Sequence, residues 1–261
     1  MIKFFRHIRQ SMIMKNQTGK YVKYALGEII LVVIGILIAL QINNWNEASK
    51  QSKIEQTFLK RLKIDLEENI ANWESLIAFQ EKRNEGVKAF IKFSLMDNSD
   101  SIGMILPHFN PVLRWDDMTI NQVTFKEMQS SGKLDIIQND SIKIKLLQLD
   151  QQYQIVLKRN ETIKLGHEKG VSEPYGKTVK SINYFVLDQS NEELFPRMYS
   201  REELETYQQQ FIDDLMDLVN NQVFLNTLIA SKYNFTLIVG EMEEARLKAE
   251  ELLSLINNEL E

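Results

Sequence analysis

The sequence predicts a mainly α-helical protein, in which one N-terminal transmembrane helix runs into an elongated antiparallel helical bundle. A predominantly apolar run, in which Glu28 and Gln41 are polar, lies near the N-terminus between residues 24 and 42. Apolar residues recur at three- and four-residue steps through most of the chain that follows, which is the spacing of amphipathic helices. Glycine and proline are scarce, with 10 and 4 in 261 residues. We therefore expect few tight turns and at most a short β pairing.

Cysteine is absent, and the only histidines are His7, His108 and His167. Without cysteine the chain cannot form disulfides, zinc–thiolate sites, iron–sulfur clusters or a thiol nucleophile. No two histidines stand at helical spacing, so a zinc-hydrolase site has few candidate ligands. We therefore expect a non-enzymatic protein with no cofactor and no bound metal.

The formal net charge of −5 is distributed unevenly along the chain. Residues 1–28 contain six lysines and arginines and one glutamate, which gives this segment +5 and leaves −10 for the remainder. A basic head suits the anionic cytoplasmic face of a membrane, whereas an acidic body repels the phosphate backbone of nucleic acids. We expect membrane lipids among the partners and exclude nucleic acid. Residues 1–15 form either a basic amphipathic helix or a plain positively charged flank.

The segment from Tyr24 to Ile42 has the length and composition of a single membrane crossing. As a helix, its 19 residues span about 28 Å, against a hydrocarbon core of roughly 30 Å. Tyr21 and Tyr24 stand at one end and Trp45 at the other, where aromatic side chains favour the membrane interfaces. We accordingly divide the chain into a basic cytoplasmic head (1–23), a transmembrane helix (24–45) and an extracytoplasmic helical bundle (46–261).

Two features inside this segment suggest contacts with another helix. Gly35 and Ala39 form a pair of small residues four positions apart, with Gly27 two turns earlier on the same face, and such a face permits close helix–helix approach. Glu28 is the one ionisable residue in the segment. It is either a polar partner for a basic group on another subunit or an interfacial carboxylate that faces water.

A cleaved secretory signal is the competing interpretation of the apolar run. Residues 41–45 are mostly large and polar or aromatic, where a cleavage site needs small residues, so we favour a permanent anchor. Six lysines and arginines precede the span and four follow within 20 residues. This bias places the N-terminus in the cytoplasm and the body in the periplasm, across the inner membrane.

The chain after Trp45 is predicted to continue as a long amphipathic helix to about residue 95. Residues 52–55 could be a capping box that starts a fresh helix, but we favour a near-continuous one. Its inward residues are predicted to be Ile54, Phe58, Leu62, Leu66, Ile70, Trp73, Ile77, Val87 and Ile91. Residues 97–118 interrupt the pattern and are interpreted as a connection.

An antiparallel helix hairpin is predicted next. Its first helix covers Thr119–Gln129, with Thr119 and Gln122 as a capping-box pair, and stops at Gly132. Residues 133–138 form a brief extended or turn segment. Asn139 or Asp140 then caps a second helix that ends near residues 166–170. The inward residues of this second helix are predicted to be Ile142, Leu146, Leu149, Tyr153, Val156 and Ile163.

The last third of the chain contains one possible strand and two predicted helices. Thr178–Leu187 has strand character and either pairs with Leu134–Ile137 or packs as an extended loop. Ser200 and Glu203 form a capping box that opens a helix. A final helix of about 40 residues follows residues 220–221 and is expected to lie back along residues 50–95. The inward residues are predicted to be Leu204, Tyr207, Phe211, Leu215 and Leu218 in the first helix, and Phe224, Leu228, Phe235, Val239, Met242, Ala249, Ile256 and Leu260 in the second.

Some local patterns resemble binding sites, and each has a simpler explanation. Trp115 beside Asp116 and Asp117, with His108 nearby, could form a small-ligand or cation site, or simply cap one end of the bundle. Residues 170–178 end in the Gly-Lys-Thr of a phosphate-binding loop, but five residues separate the glycines where that loop has four. Acidic clusters at 67–68, 213–217 and 241–244 fall between apolar positions, so we expect solvated faces.

The run Gly27–Glu47 (GEIILVVIGILIALQINNWNE), preceded by Met1–Arg6 and Lys20–Tyr21, resembles the N-terminal signature of a family of uncharacterised single-span membrane proteins of Bacteroidota-type bacteria. Residues 130–137, which lead into Asn139 and Asp140, are similar to the mid-chain motif of that family. The resemblance implies a single-span protein with a helical body. It brings no assigned activity and no catalytic residues.

These observations lead to two functional hypotheses. The first is a membrane-anchored interaction or scaffold protein, whose partner is another protein or a second copy of the chain. The alternative is an extracytoplasmic ligand-sensing domain. About 23 residues precede the span, too few for a kinase domain, so such a sensor would signal through a partner protein.

Overall fold

The computed structural model describes residues 18–96, 103–181 and 200–261. Within these ranges all regular structure is helical and there is no β-strand, which confirms the predicted fold class. Residues 1–17 of the predicted basic head (1–23) lie outside these ranges, as do residues 182–187 of the possible strand. The chain divides into two compact units, residues 1–58 and 59–261.

The first helix, α1, covers Thr18–Ser94 without a break, so the capping box considered at Ser52 does not start a new helix. In the first unit, every residue from Ile29 to Ile42 is exposed. In the second unit, α1 buries one face that includes Leu62, Leu66 and Trp73. The predicted stripe is correct for most positions, but Ile54 is exposed, and Ile70 and Ile91 are only half-buried.

Three long helical segments form the core of the second unit: α1 from residue 59 onward, α4 (Asp140–His167) and α7 (Gln222–Leu260). Two contacts show that α7 runs antiparallel to α1, because Arg83 lies over Phe235 and Phe90 contacts Phe224. This confirms the prediction that the last helix lies back along the first. All six predicted inward residues of α4 are buried.

The direction of α4 follows from its contacts with the other two helices. Tyr153 stacks on Trp73 with ring centroids 6.0 Å apart, and His167 lies near Arg83 further along both helices. Helices α1 and α4 therefore run parallel. Salt bridges from Lys145 to Glu251 and from Arg159 to Glu241 show that α7 is antiparallel to α4 as well.

The predicted helix at 119–129 begins four residues later than expected, because α3 covers Val123–Ser130. The reason lies in α1, where the Asn69 side chain accepts a hydrogen bond from the Asn121 N–H and donates one to the Asn121 carbonyl, both 2.8 Å long. Gln122 donates to Asp150 and makes no capping bond to the helix. Tertiary hydrogen bonds thus replace the predicted capping box of Thr119 and Gln122.

Helices α3 and α4 form an antiparallel hairpin, as predicted, because Arg61 and Asn69 of α1 contact Glu127 and Asn121 in reverse order and α1 runs parallel to α4. The chain turns through Gly132 between the two helices. Gly132 adopts a left-handed conformation with φ of 66°, which a glycine tolerates without strain. Lys133–Ile136 is a 3₁₀ helix, so a β pairing with these residues is wrong. The Asn139 side chain accepts a hydrogen bond from the Ser141 N–H and caps α4.

Short elements cover the end of the second unit where Phe90 lies. They are a 3₁₀ turn at Leu106–His108, helix α2 (Phe109–Leu113), a π-helical turn at Glu168–Ser172 that extends α4, and helix α5 (Glu173–Thr178). Phe109 contacts the rings of Phe90, Tyr175 and Phe211. The predicted connection thus contains a short helix, held in place by an aromatic cluster.

Helix α6 (Arg201–Asn220) begins with the predicted capping box, in which Ser200 and Glu203 bond each other's backbone N–H groups. Phe211, Leu215 and Leu218 are buried, but Leu204 is exposed and Tyr207 half-buried. Asn221 then caps α7 through the N–H groups of Val223 and Phe224. Val239 and Leu260 are half-buried, whereas the other predicted inward residues of α7 are buried.

Candidate ligand site around Arg83

The residues predicted for the membrane segment all belong to α1. Gly27, Gly35 and Ala39 are exposed, and a Cβ added to either glycine would have no atom within 4 Å. Trp45 is 75% exposed. Glu28 is half-buried and already has a polar or electrostatic partner within the chain. The side chains of Tyr21 and Tyr24 lie outside the described part of the structure.

One helix of the described chain is long and apolar enough to cross a membrane, and its most apolar stretch is unburied. The exposed fractions of its large apolar side chains between Ile29 and Ile42 range from 47% to 67%. This finding rests on the length and composition of the helix, and a cleaved signal sequence near the N-terminus would have the same properties. It is therefore compatible with the predicted anchor.

The second unit contains an arginine in its core. Arg83, on α1, is 1% exposed, and its guanidinium carbon lies 4.4 Å from the ring centre of Trp115 and 5.0 Å from that of Phe235. Such cation–π contacts replace part of the hydration that a buried cation loses. Burial nevertheless lowers the pKa of Arg83 to about 10, and the charge of Asp116 opposes this shift. Arg83 therefore stays a cation at neutral pH.

Several polar atoms around Arg83 have no hydrogen-bond partner. Among the described residues, neither Nε nor Nη2 of Arg83 has an acceptor, although both are buried. The same holds for Trp115 Nε1, which lacks an acceptor, and for the oxygens of Gln80 and Asn84, which lack donors. A buried polar group without a partner costs about 1–3 kcal/mol, and more when it is charged. A cluster of such atoms is an incomplete polar site.

His167 packs against this cluster in a neutral state. Its ring centre lies 5.3 Å from that of Trp115, and its Nε2 is 3.0 Å from the Val112 carbonyl oxygen. A carbonyl only accepts, so Nε2 carries the proton, and Nδ1 is left to accept from the Ser172 hydroxyl at 3.4 Å. Burial and the nearby charge of Arg83 lower the pKa of His167 to about 4.

The acidic residues near Trp115 do not converge on a common point. Asp116 accepts a 2.6 Å hydrogen bond from Arg114, and Asp117 pairs with Lys164. His108 is half-buried near Gly86, where an added Cβ would meet the His108 Cβ at 3.1 Å. Within the described ranges, no three histidine, aspartate or glutamate side chains are placed to hold a metal ion. The cluster at Trp115 is therefore built around a cation of the protein itself.

The other patterns considered in the sequence are accounted for by packing and surface pairing. Residues 170–178 lie in the π-helical turn and in α5, and Gly170 packs directly against Thr227 of α7. The acidic clusters lie on different helices and pair locally, as in the salt bridge of Glu67 with Lys63 and that of Glu243 with Arg246.

The Arg83 cluster was not identified from the sequence, but a signal for it exists. The apolar stripe of α1 stops at Ile77 and resumes at Val87. Gln80, Arg83 and Asn84 fall in this gap, and the first two are buried. Polar residues at inward positions of an otherwise apolar stripe indicate a buried polar site.

In the part of the chain that the structure describes, the regular structure is helical, with one exposed apolar helical segment and a bundle that contains an incomplete polar site. Residues 28–194 match the model of a family of unknown function, DUF6090. The chain therefore belongs to this family. None of the curated proteins and none of the solved structures gives a significant match.

Proposed function

We propose that the chain is a single-span membrane protein whose helical bundle is a non-enzymatic interaction module. The observation that carries this proposal is the exposure of every residue from 29 to 42, of which only Gln41 is polar. A continuous apolar surface of this length is unfavourable in water and suited to the hydrocarbon of a bilayer. The positive charge before it supports insertion in the inner membrane, with the N-terminus cytoplasmic and residues 46–261 periplasmic.

The partner of this module is another protein or a second copy of the chain. Gly27, Gly35 and Ala39 lie on one exposed face of α1, and open space surrounds both glycines. A helix from another subunit could approach this face closely, because small residues leave the backbone accessible. The acidic body argues against nucleic acid as a partner.

Crosslinking of the full-length protein in its native membranes tests this proposal. We expect one recurrent crosslinked product, whose yield falls several-fold in Gly35→Leu, because the added side chain blocks close helix contact. Val33→Leu, on the opposite side of the helix, should leave the yield unchanged. A chain that crosslinks to no defined partner, or one that is released from membranes by high salt, would contradict the proposal.

A second candidate function, ligand sensing, is favoured by the unpaired buried atoms at Arg83, Gln80 and Trp115. A ligand that completes their hydrogen bonds would bind the folded state and shift its conformational equilibrium. The signal would then pass to a partner protein through the bundle. Ligand sensing and the interaction module are compatible, because sensing involves the core of the bundle whereas partner binding involves the exposed surface of the chain.

A further inference from the structure

We propose that Arg83 binds the carboxylate group of a small organic acid through its Nε–H and Nη2–H groups. This inference gives a ligand class to the sensing function proposed above and rests on it. Its basis is the identity of the unpaired atoms, their burial and the polar groups that accompany them.

The two unpaired nitrogens of Arg83 are the pair that recognises an oxyanion side-on. Nε–H and the adjacent N–H of Nη2 lie on one edge of the planar guanidinium and point in the same direction. The spacing of these two donors matches the two oxygens of a carboxylate, which gives a bidentate, charge-assisted pair. Both atoms are buried and lack an acceptor within the described ranges. The vacant edge is therefore complementary to a carboxylate in both geometry and charge.

The surroundings of Arg83 supply the charge balance that such a ligand needs. The guanidinium lies over the rings of Trp115 and Phe235, which hold it in place without neutralising it. His167 is neutral at physiological pH, and Asp116, the nearby acid, bonds to Arg114. Within the described ranges, Asp116 attracts Arg83 but makes no hydrogen bond to its Nε–H or Nη2–H, so the positive charge is only partly compensated, and a buried charge is stable only when it is paired. A monocarboxylate supplies the missing charge.

The remaining unpaired atoms favour an acid that carries a hydrogen-bond donor. Gln80, Arg83 and Asn84 stand three and four residues apart, so their side chains share one face of α1. The oxygens of Gln80 and Asn84 lack donors, and Trp115 Nε1 lacks an acceptor. A hydroxyl or ammonium group next to the carboxylate would donate to the Gln80 and Asn84 oxygens, and an oxygen of the acid would accept from Trp115 Nε1. We therefore expect a hydroxy acid, or an acidic amino acid that keeps a net negative charge, to bind more tightly than acetate.

The segment between α2 and α3 covers one face of the Arg83 guanidinium. Residues 114–122 have no regular secondary structure, and Trp115 and Asp116 within them are half-buried. Trp115 is the side chain of this segment that lies against Arg83. Movement of this segment at Trp115 is the way we expect a ligand to reach the guanidinium, while the hydrogen bonds between Asn69 and Asn121 hold the other end of the segment to α1.

The test measures the thermal unfolding of the full-length protein in lipid nanodiscs at pH 7. Sodium acetate, lactate, glutamate and inorganic phosphate are titrated against sodium chloride at equal ionic strength. Lactate or glutamate should raise the Tm in a saturable manner, because a ligand of the folded state stabilises it. The Arg83→Lys variant keeps the charge but loses the side-on fork, so we expect at least a tenfold weaker apparent affinity.

Two matched variants separate this site from others. Arg61→Lys makes the same substitution elsewhere on α1, at a partly exposed arginine that pairs with Glu127, and should bind as the wild type does. Asp116→Asn removes the acid nearest to Arg83. A carboxylate-dependent shift that appears only in Asp116→Asn would overturn the proposal for the natural chain, because Asp116 would then occupy the fork.

Other outcomes also decide the matter. If no carboxylate shifts the Tm of the wild type, or if Arg83→Lys responds equally, the proposal is wrong. Circular dichroism of each variant establishes that it is folded. Crosslinking in membranes is an independent measurement, so failure of the carboxylate site leaves the interaction module standing. A carboxylate that binds at Arg83 but does not alter the crosslinked products would instead reject sensing as the function of this site.

Discussion

At the scale of single residues, the core of the bundle depends on two basic side chains that remain in different protonation states. Arg83 stays a cation because its ordinary pKa is so high that burial lowers it only to about 10. His167 has a much lower ordinary pKa, and burial beside Arg83 lowers it further, to about 4. The neutral imidazole can thus share the core with the guanidinium, whereas two cations in contact would repel each other.

The lowered pKa of His167 predicts acid-sensitive stability. Below pH 6.5 the unfolded chain protonates this histidine, and the folded chain does so only near pH 4. The unfolded state therefore binds more protons in this range, and stability falls as the pH is lowered from 6.5 to 4. The full shift corresponds to roughly 3 kcal/mol. Denaturant unfolding at a series of pH values measures this loss of unfolding free energy.

The His167→Gln variant is the test of this prediction. Glutamine retains an N–H that can donate to the Val112 carbonyl but does not titrate, so most of the pH dependence between 6.5 and 4 should disappear. The His108→Gln variant retains His167 and should keep the slope. An unchanged pH profile in His167→Gln would show that other groups cause the acid sensitivity.

At the scale of elements, the junction between α4 and α7 depends on one glycine. A Cβ at Gly170 would meet Thr227 Oγ1 at 1.9 Å, and the Cβ and Cγ2 of Thr227 at 2.6 Å. The π-helical turn that contains Gly170 can therefore approach α7 only because this residue has no side chain. A substitution here must push the two elements apart.

The Gly170→Ala variant should lose about 1–3 kcal/mol of unfolding free energy, because overpacking forces the backbones to shift. Gly166→Ala is the control, since a Cβ there meets no atom within 4 Å. Alanine at a helical position without a clash should be neutral or stabilising by up to about 1 kcal/mol. In a double-mutant cycle, Thr227→Gly should relieve the effect of Gly170→Ala, and strict additivity of the two changes would contradict the contact.

At the scale of the whole molecule, the proposed membrane topology makes a prediction about accessibility. The natural chain lacks cysteine, so single cysteines at Ser11 and Ser254 report on the two sides without background. In intact cells an impermeant maleimide should label Ser254→Cys, which lies on an exposed position of α7, and should label Ser11→Cys only after lysis. Labelling of Ser11→Cys alone in intact cells would reverse the proposed orientation.

The sequence by itself determined the features that depend on neighbours within one or two helical turns. The inward residues of α4, the capping box of Ser200 and Glu203, the cap at Asn139 and the left-handed turn at Gly132 all follow from residues a few positions apart. These interactions are set by local geometry, which a single sequence displays directly. The apolar segment of α1 belongs to the same group, because its length and composition are visible without a fold.

Only the tertiary structure decided the features that join distant residues. Asn69 bonds the backbone of Asn121 and so delays the start of α3, and α1 runs parallel to α4. The burial of Arg83 between Trp115 and Phe235 involves residues more than 30 and 150 positions apart. Periodicity shows which face of a helix turns inward but carries no information about the element that covers it. The polar gap in the stripe of α1 was therefore readable in the sequence, whereas the unpaired edge of Arg83 was not.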